Sequence, residues 1–327
     1  MKHEREIPET PNEEILANLL EGIRIAYDPN VRGYRDMDEL KAALLDFDSD
    51  SDDDSDQIPS LLYKQSQEVT MPTYKIMTCN LRTDCDSDGI NSFMNRRPFI
   101  SEKLAAYSPD IIGFQEIRPH MYSWLVENLA DYYVVGGGRG RDRGDEAVCI
   151  AFKKSEFFLC DLETFWLSAT PDVPGSRYSG DQSVCPRICS VATLKPVGGE
   201  PFRVFNVHTD HVGKVARVLA ANQLLQKLSE LNQHSFMPCF ITGDFNAEPD
   251  DLCIKTMTSY TGTPLVDLTA ESGITFHNFG KMLEDGIKID YIFANADINC
   301  HSMIICRDMK DGVFISDHYP IMVEVEF

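Results

Sequence analysis

Apolar and polar positions divide the 327-residue chain into stretches of different character. From Tyr74 onward, apolar runs of strand length recur. They are Tyr74–Leu81, Ile111–Gln115, Ala147–Phe152, Ser190–Leu194, Phe202–Val207, Cys239–Thr242, Ile289–Ala294 and Ile321–Val325. Helical spacing intervenes at Pro98–Tyr107. It is clearest over Lys214–Asn232, where Leu224, Leu225, Leu228 and Leu231 form much of an apolar face. Many strands interspersed with a few helices predict β-sheets covered by helices, an α/β (α+β) fold.

The pattern upstream differs. Thr10-Pro11-Asn12-Glu13 has the form of a helix start, with Thr10 as N-cap, Pro11 at the first helical position and Glu13 closing a capping box. Leu16, Leu19, Leu20 and Ile23 follow at helical spacing. Asp28-Pro29-Asn30 breaks the pattern, and Leu40, Leu44 and Leu45 resume it. Two helices this short cannot bury a core alone. The Asp/Ser run from Asp46 to Asp56 reads as a solvated linker. Its alternating aspartates do not make a calcium loop, because Ser51 and Gln57 stand where such a loop needs Gly and Glu. The expected organisation is a helical segment over 1–46, an acidic linker over 47–70 and a catalytic domain over 71–327.

Charge narrows the candidate partners. The net charge is −22, and residues 1–70 hold 18 acids against 7 bases. No basic stripe appears in either part. A grip on long duplex DNA, which depends on phosphate contacts, is therefore disfavoured. No apolar run is long enough to span a membrane. The charged N-terminus does not read as a secretory signal. Ten cysteines lie between Cys79 and Cys306 without a C-x-x-C pair. Buried thiols in a reducing cytoplasm fit this better than a zinc site or a disulfide framework.

The chemistry gathers at strand ends, where sites in open sheets assemble. Asn80 ends the first run and Gln115-Glu116 the second. Asn206 and His208 end a third, and Gly243-Asp244-Phe245-Asn246 a fourth. Asp290 lies inside Lys288-Ile289-Asp290-Tyr291-Ile292, and Asp317-His318 precedes the last strand. Hydrolysis of a phosphate ester needs these residue types. Glu116 and Asp317, with the amide of Asn80, suit Mg²⁺ or Mn²⁺. Asp244 can orient or deprotonate water. His208, His318 and Asn246 can donate to phosphoryl oxygens.

The ordered segments Cys79-Asn80-Leu81-Arg82, Gly113-Phe114-Gln115-Glu116, Asn206-Val207-His208, Gly243-Asp244-Phe245-Asn246, Ile289-Asp290-Tyr291-Ile292 and Ser316-Asp317-His318 resemble the motifs of the endonuclease/exonuclease/phosphatase (DNase I-like) superfamily. The resemblance covers residues 74–327 and is strongest to an uncharacterised bacterial branch. It implies a four-layer sandwich of two mixed β-sheets flanked by helices. It also implies a Mg²⁺- or Mn²⁺-dependent phosphodiesterase or phosphatase, acting on a phosphorylated small molecule or single-stranded nucleic acid.

Residue roles follow from the same resemblance. Glu116 would be the principal metal ligand, with Asn80 beside it and Asp317 contributing. Asp244 would handle the attacking water and Asn246 hold the phosphate. His318 would stabilise developing charge, oriented by Asp290. His208 would act on the phosphate or the leaving group, oriented by Glu146. Arg187 and Asn206 would reach substrate. Trp166 and His277 would lie on loops near the site, Trp166 either stacking on a ligand or packing. His208 stands where apurinic-site enzymes place a tyrosine, which weakens a DNA-repair reading.

Residues 10–46 separately resemble the toxin-binding part of RelB/DinJ-type antitoxins, carried by Ile25-Ala26-Tyr27-Asp28-Pro29-Asn30 and Met37-Asp38-Glu39-Leu40. That implies a RelE-type toxin as partner. A nuclease and a toxin-binding interaction protein are the alternatives to a small-substrate hydrolase.

Overall fold

The computed structural model describes residues 72–295 and 298–327. The antitoxin-like segment and the acidic linker lie outside the described residues. Fourteen strands and four α-helices are formed within them.

One six-stranded sheet comprises β1 (Thr73–Asn80), β2 (Ile111–Ile117), β3 (Tyr132–Gly138), β4 (Ala147–Lys153), β11 (Asn299–Ile305) and β14 (Ile321–Glu326). Their spatial order is β11-β14-β1-β2-β4-β3. The second comprises β5 (Phe157–Trp166), β6 (Ile188–Pro196), β7 (Phe202–His208), β8 (Cys239–Asp244), β9 (Leu265–Asp267) and β10 (Asp290–Asn295), in the order β5-β6-β7-β8-β10-β9. Each sheet is mixed: β1–β2 and β7–β8 are parallel and the other pairs antiparallel. A short hairpin pairs β12 (Met309–Lys310) with β13 (Val313–Phe314).

The helices cover the outer faces. Helices α1 (Phe93–Tyr107) and α2 (Pro119–Asn128) pack on the first sheet through Phe99, Ile100, Leu104, Met121 and Leu125, against Met77, Cys79, Ile112 and Phe114. Helices α3 (Lys214–His234) and α4 (Leu252–Thr258) cover the second through Leu224, Leu225, Leu228 and Met257, against Phe205, Val207, Ile241 and Phe293. A third core, built of Ile76, Ile111, Ile150, Phe202, Val204, Phe240, Ile292 and Val323, fills the space between the sheets. Helix–sheet–sheet–helix is thus the observed layering, as the resemblance implied.

The strand repeat of two fixes which residues face that central layer. On β1, Ile76, Thr78 and Asn80 share a face. On β2 the set is Ile111, Gly113 and Gln115, on β7 Val204, Asn206 and His208, on β8 Phe240, Thr242 and Asp244, and on β10 Ala294, Ile292 and Asp290. Register aligns them: Asn80 lies opposite Gln115, Asn206 opposite Thr242, and Asp244 opposite both His208 and Asp290. The layer therefore runs from apolar, through neutral polar, to charged at one rim.

The neutral step is a hydrogen-bonded bridge between the sheets. Asn206 Nδ2 donates to the backbone oxygens of Phe114 and Cys149, both at 2.8 Å. Its Oδ1 accepts from Gln115 Nε2 at 2.6 Å and Thr242 Oγ1 at 3.2 Å. Gly113 permits the approach, since a Cβ there would lie 2.2 Å from Thr242 Oγ1 and 2.7 Å from Asn206 Oδ1. Asn206 was expected to reach substrate. With 0% exposure and both amide atoms committed, it is a cross-sheet tie instead.

Two further expectations are corrected. The helix expected from Pro98 begins five residues earlier, at Phe93, and holds Pro98 inside it. Trp166 ends strand β5 rather than standing in a loop. It is 1% exposed, packs with Val148 and Ile188, and donates from Nε1 to Arg139 O at 2.7 Å.

Replacing Asn206 by Leu removes four buried hydrogen bonds, on the order of 1 kcal/mol each, although Gln115 Nε2 and Thr242 Oγ1 keep other acceptors. Asn206→Leu should therefore lower unfolding stability by about 3 kcal/mol or more in a urea titration. A loss below about 1 kcal/mol would show that the bridge holds nothing.

Candidate active site

Three non-glycine residues with left-handed backbone shape the charged rim: Arg82 (φ 55°), Glu116 (φ 65°) and Asn246 (φ 46°). Such conformations cost of order 1 kcal/mol or more and persist where surroundings enforce them. At Glu116 the ladder between β2 and β4 shifts register between Phe114 and Ile117. Regular pleating would send Glu116 to the helix side, away from Gln115. The bulge turns it back toward the rim. There Glu116 Oε2 accepts from Thr83 N at 2.6 Å and Oε1 from Asn80 Nδ2 at 3.2 Å.

Asn80 joins acids from both sheets. Its Nδ2 also donates to Asp244 Oδ2 at 2.9 Å, while its Oδ1 accepts from Arg82 N at 2.8 Å. The backbone donor fixes the amide orientation. Asn80 thus tethers the two carboxylates, and its oxygen is committed to the chain rather than offered to a cation. Asp244 Oδ1 accepts from Asn246 N at 2.9 Å. Asn246 Nδ2 lies 3.1 Å from His208 Nε2, which must then be the acceptor.

The two imidazoles have opposite electrostatics. His208 is buried beside Arg187 and Arg139. Burial first, then those guanidiniums, hold its pKa well below the usual value, so it is neutral. His318 Nδ1 is 2.8 Å from Asp290 Oδ2, and its Nε2 is 3.8 Å from Asp244 Oδ2. Burial works against the imidazolium. Charge attraction and the hydrogen bond from Asp290, then Asp244, outweigh that and raise its pKa. Asp244 is pushed up by burial and by Asp290, with His318 pulling back. Burial disfavours the charged Glu116 as well. The Thr83 N–H, His318, Asn80 and Arg82 prevail and hold it below the usual carboxylate range.

One ligand atom each from Glu116, His208 and Asp244 lie within 4.8 Å of one another, as do those of Asp244, Asp290 and His318. Asp317 belongs to neither group. It faces Arg82, 3.7 Å from Nε, and its pKa is raised by burial and, in part, by Glu116. Asp290 Oδ1 is buried without a partner.

Arg96, fully buried, braces the site from behind. Its guanidinium donates to the backbone oxygens of Asn91 (2.7 Å), Leu81 (2.8 Å), Ile315 (2.7 Å) and Arg82 (3.1 Å). The segment after Asn80 and the segment before Asp317 are thereby tied to α1. This also explains the early start of α1, since the turn ahead of Pro98 is what carries Arg96.

Some expected positions take other roles. Glu146 does not orient His208. It pairs with Arg139 Nη1 at 2.8 Å and lies 3.9 Å from Arg118 Nη2. His277 is 0% exposed, accepts from Gly280 N through Nδ1 at 3.0 Å and stacks on Tyr319 with centroids 3.8 Å apart. Its backbone N–H bonds Asp317 O at 2.9 Å, so it supports the loop of Asp317 and His318 and cannot touch substrate. Arg187 is buried, with Nη2 2.8 Å from His211 Nδ1 and Nε 3.8 Å from Asp210 Oδ2. Sequence reasoning gave no role to Arg82, Arg96, Arg139, Asp210 or His211. For Arg139 the signal was an arginine-rich hairpin (Arg139, Arg141, Arg143) in a strongly acidic chain.

The sequence profile of the endonuclease/exonuclease/phosphatase family matches residues 77–318. The chain belongs to that family. A family member from Bacteroides thetaiotaomicron is 29% identical, with a TM-score of 0.73, covering 79% of this chain and 98% of its own. A mannosyl-6-phosphatase of the same organism is 30% identical, with a TM-score of 0.72, covering 78% of this chain and 100% of its own. An uncharacterised protein of Acanthamoeba polyphaga mimivirus is 27% identical over 251 residues, 71% of this chain and 91% of its own. The family match spans both sheets, and every rim residue from Asn80 to His318 lies within it.

Arg96→Met strips four buried carbonyls of their donor and should destabilise the domain by about 3 kcal/mol or more in denaturant. Arg96→Lys should recover less than half of that, because an ammonium cannot span the four acceptors. Full recovery by lysine would mean that the charge alone matters.

Proposed function

We propose that the chain is a divalent-metal-dependent phosphoester hydrolase acting by in-line attack of water. The observation that carries this reading is the convergence of buried Asp244, Asp290, His208 and His318 with half-buried Glu116 from elements of both sheets. The residues fit a hard cation. Carboxylate oxygens prevail at the rim, no thiol is among them, and the acids outnumber the cationic partners His318 and Arg82. Glu116 would be its principal ligand, with Asp317 alongside. Bound Mg²⁺ or Mn²⁺ supplies positive charge against the phosphoryl oxygens.

The protein's own groups divide the remaining work. Asp244, its proton affinity raised, holds the attacking water and takes its proton. The water oxygen bonds to phosphorus as the ester P–O bond breaks, and the departing oxygen takes a proton from solvent. His318, cationic and held by Asp290, donates to a phosphoryl oxygen where charge builds up. Neutral His208 at the end of β7 and Asn246 just after β8, hydrogen-bonded to each other, would face the phosphoryl group.

A phosphorylated small molecule is the favoured substrate. The acidic chain and the likeness to a mannosyl-6-phosphatase support it over a nucleic-acid duplex. The ten unpaired thiols support a reducing compartment, the cytoplasm. Among the described residues no helix is long and apolar enough to cross a membrane.

With Mg²⁺ or Mn²⁺, a panel of phosphate esters including sugar phosphates should show turnover that EDTA abolishes. Asp244→Asn and His318→Gln should each lower kcat by about 100-fold or more, the scale of removing one preorganised group. Circular dichroism should show both variants folded. Turnover that survives EDTA, or an Asp244→Asn enzyme of full activity, would contradict the proposal.

A further inference from the structure

Thr275, Phe276 and His277 run antiparallel beside Asp317, His318 and Tyr319. Tyr319 N donates to Thr275 O at 2.7 Å, and His277 N donates to Asp317 O at 2.9 Å. These bonds flank Phe276 and His318. The two residues therefore oppose each other as a non-hydrogen-bonded pair, the kind whose side chains lie closest. On its other side Phe276 pairs with Ile287, through Phe276 N to Ile287 O at 2.9 Å and Ile287 N to Phe276 O at 3.3 Å. Opposed residues of a ladder share a face. Ile287, Phe276 and His318 thus form a row.

Alternation sends the neighbours of Phe276 the other way. Thr275 is buried, and its Oγ1 accepts from Ile289 N at 2.9 Å and Asp290 N at 3.1 Å. His277 is buried against Tyr319. Phe276 is left on the face of His318, its ring centre 5.0 Å from that of the imidazole and inclined at 62°. Phe276 and Ile287 are both half-buried. Among the described residues, neither belongs to an apolar core of the domain or packs against one. An apolar side chain stabilises a fold by leaving water for other apolar groups. Phe276 instead keeps part of its ring in water and sets the rest against a cationic histidine. An apolar surface so placed, beside the group that meets the phosphoryl oxygens, is matched by the organic part of a bound ester.

We propose that Phe276, extended by Ile287, receives the flat apolar face of a ring-shaped leaving group and so sets substrate preference. This rests on the hydrolase reading and specifies its substrate class. With a phosphoryl oxygen at His318, the organic group begins one or two bonds from phosphorus, within reach of a phenyl ring 5.0 Å from that imidazole. An aryl ring stacks on a phenyl face, and the C–H face of a sugar ring offers it the same flat apolar contact. An open-chain alcohol has no such face.

The test uses the full chain with Mg²⁺ and three esters: p-nitrophenyl phosphate for an aryl ring, mannose 6-phosphate for a sugar ring and glycerol 1-phosphate as the open-chain reference. For each variant, kcat/KM of each ring ester is divided by that of glycerol 1-phosphate, and this ratio is compared with wild type, so that intrinsic reactivity cancels. In Phe276→Ala the ratio should fall by about 5-fold or more for at least one ring ester, the scale of one aromatic contact. The ester that loses it identifies the ring. Phe276→Leu keeps apolar bulk without a flat face and should lose the ratio as well, which decides the matter if the alanine variant does not fold. Phe276→Tyr keeps the face and should restore the ratio to within about 2-fold of wild type. A loss of equal size for all three esters would mark Phe276 as a cover for His318 and overturn the proposal, as would an unchanged ratio in Phe276→Leu. Either result leaves the hydrolase reading intact. If no ester is turned over, the hydrolase reading falls, and isothermal titration with phenylphosphonate and methylphosphonate decides the site by itself. Tighter binding of phenylphosphonate that Phe276→Leu abolishes upholds it, and equal binding of the two by wild type overturns it.

Discussion

The cross-sheet amide of Asn206 is the contact on which the rest of the molecule depends. Charged groups cannot sit against a dry apolar core without heavy desolvation cost. Between Ile76, Val204 and Phe240 at one end and Glu116, Asp244 and Asp290 at the other, the protein inserts a layer that is polar but uncharged. That layer is Thr78, Gln115, Asn206 and Thr242, all 0–1% exposed. Asn206 saturates both ends of its amide across the two sheets and so fixes their relative register. Because Asn80 continues the face of Thr78, and Asp244 that of Thr242, the same register brings acids from opposite sheets to one amide nitrogen.

The rim is held by local devices that regular strands cannot provide. A bulge with a left-handed Glu116 re-aims a side chain that pleating would misdirect. A left-handed Asn246 lets its own N–H cap Asp244 while its amide meets His208. Arg96 gathers four carbonyls from three segments and fixes the loops on either side of Asn80 and Asp317. The surplus of negative charge at Glu116, Asp244 and Asp290, set against cationic His318, favours a bound dication.

Much of the fold was legible because strand length and alternation are local. The runs at Tyr74, Ile111, Phe202, Cys239 and Ile321 formed strands, and Lys214–Asn232 formed a helix. Asp290 and His318 were legible as a pair only through the family resemblance, since one begins β10 and the other precedes β14 in the opposite sheet. Trp166, Asn206 and His277 were placed on loops or against a ligand, whereas burial and hydrogen bonds from distant segments turn them inward; for Trp166 the packing alternative holds. Glu146 was paired with His208, whereas its partner is Arg139. Partners such as Arg139 for Glu146, or Tyr319 for His277, are fixed by packing and leave no periodic trace. Strand β5 escaped notice because its middle is exposed and mixed in polarity, Phe157 to Trp166 reading more like a loop. Asp210 was hidden similarly, since it joins its own turn at Val212 and Gly213 to distant Ser183.

The central claim is that two sheets, locked by an uncharged amide layer, present an acidic rim shaped for a divalent cation. Mn²⁺ titration followed by electron paramagnetic resonance tests it without reliance on any substrate. The account predicts saturable binding to the wild-type chain, weakened by about 10-fold or more in Glu116→Gln, whose fold is retained. Absence of saturable Mn²⁺ binding, or binding that Glu116→Gln leaves unaltered, would contradict it.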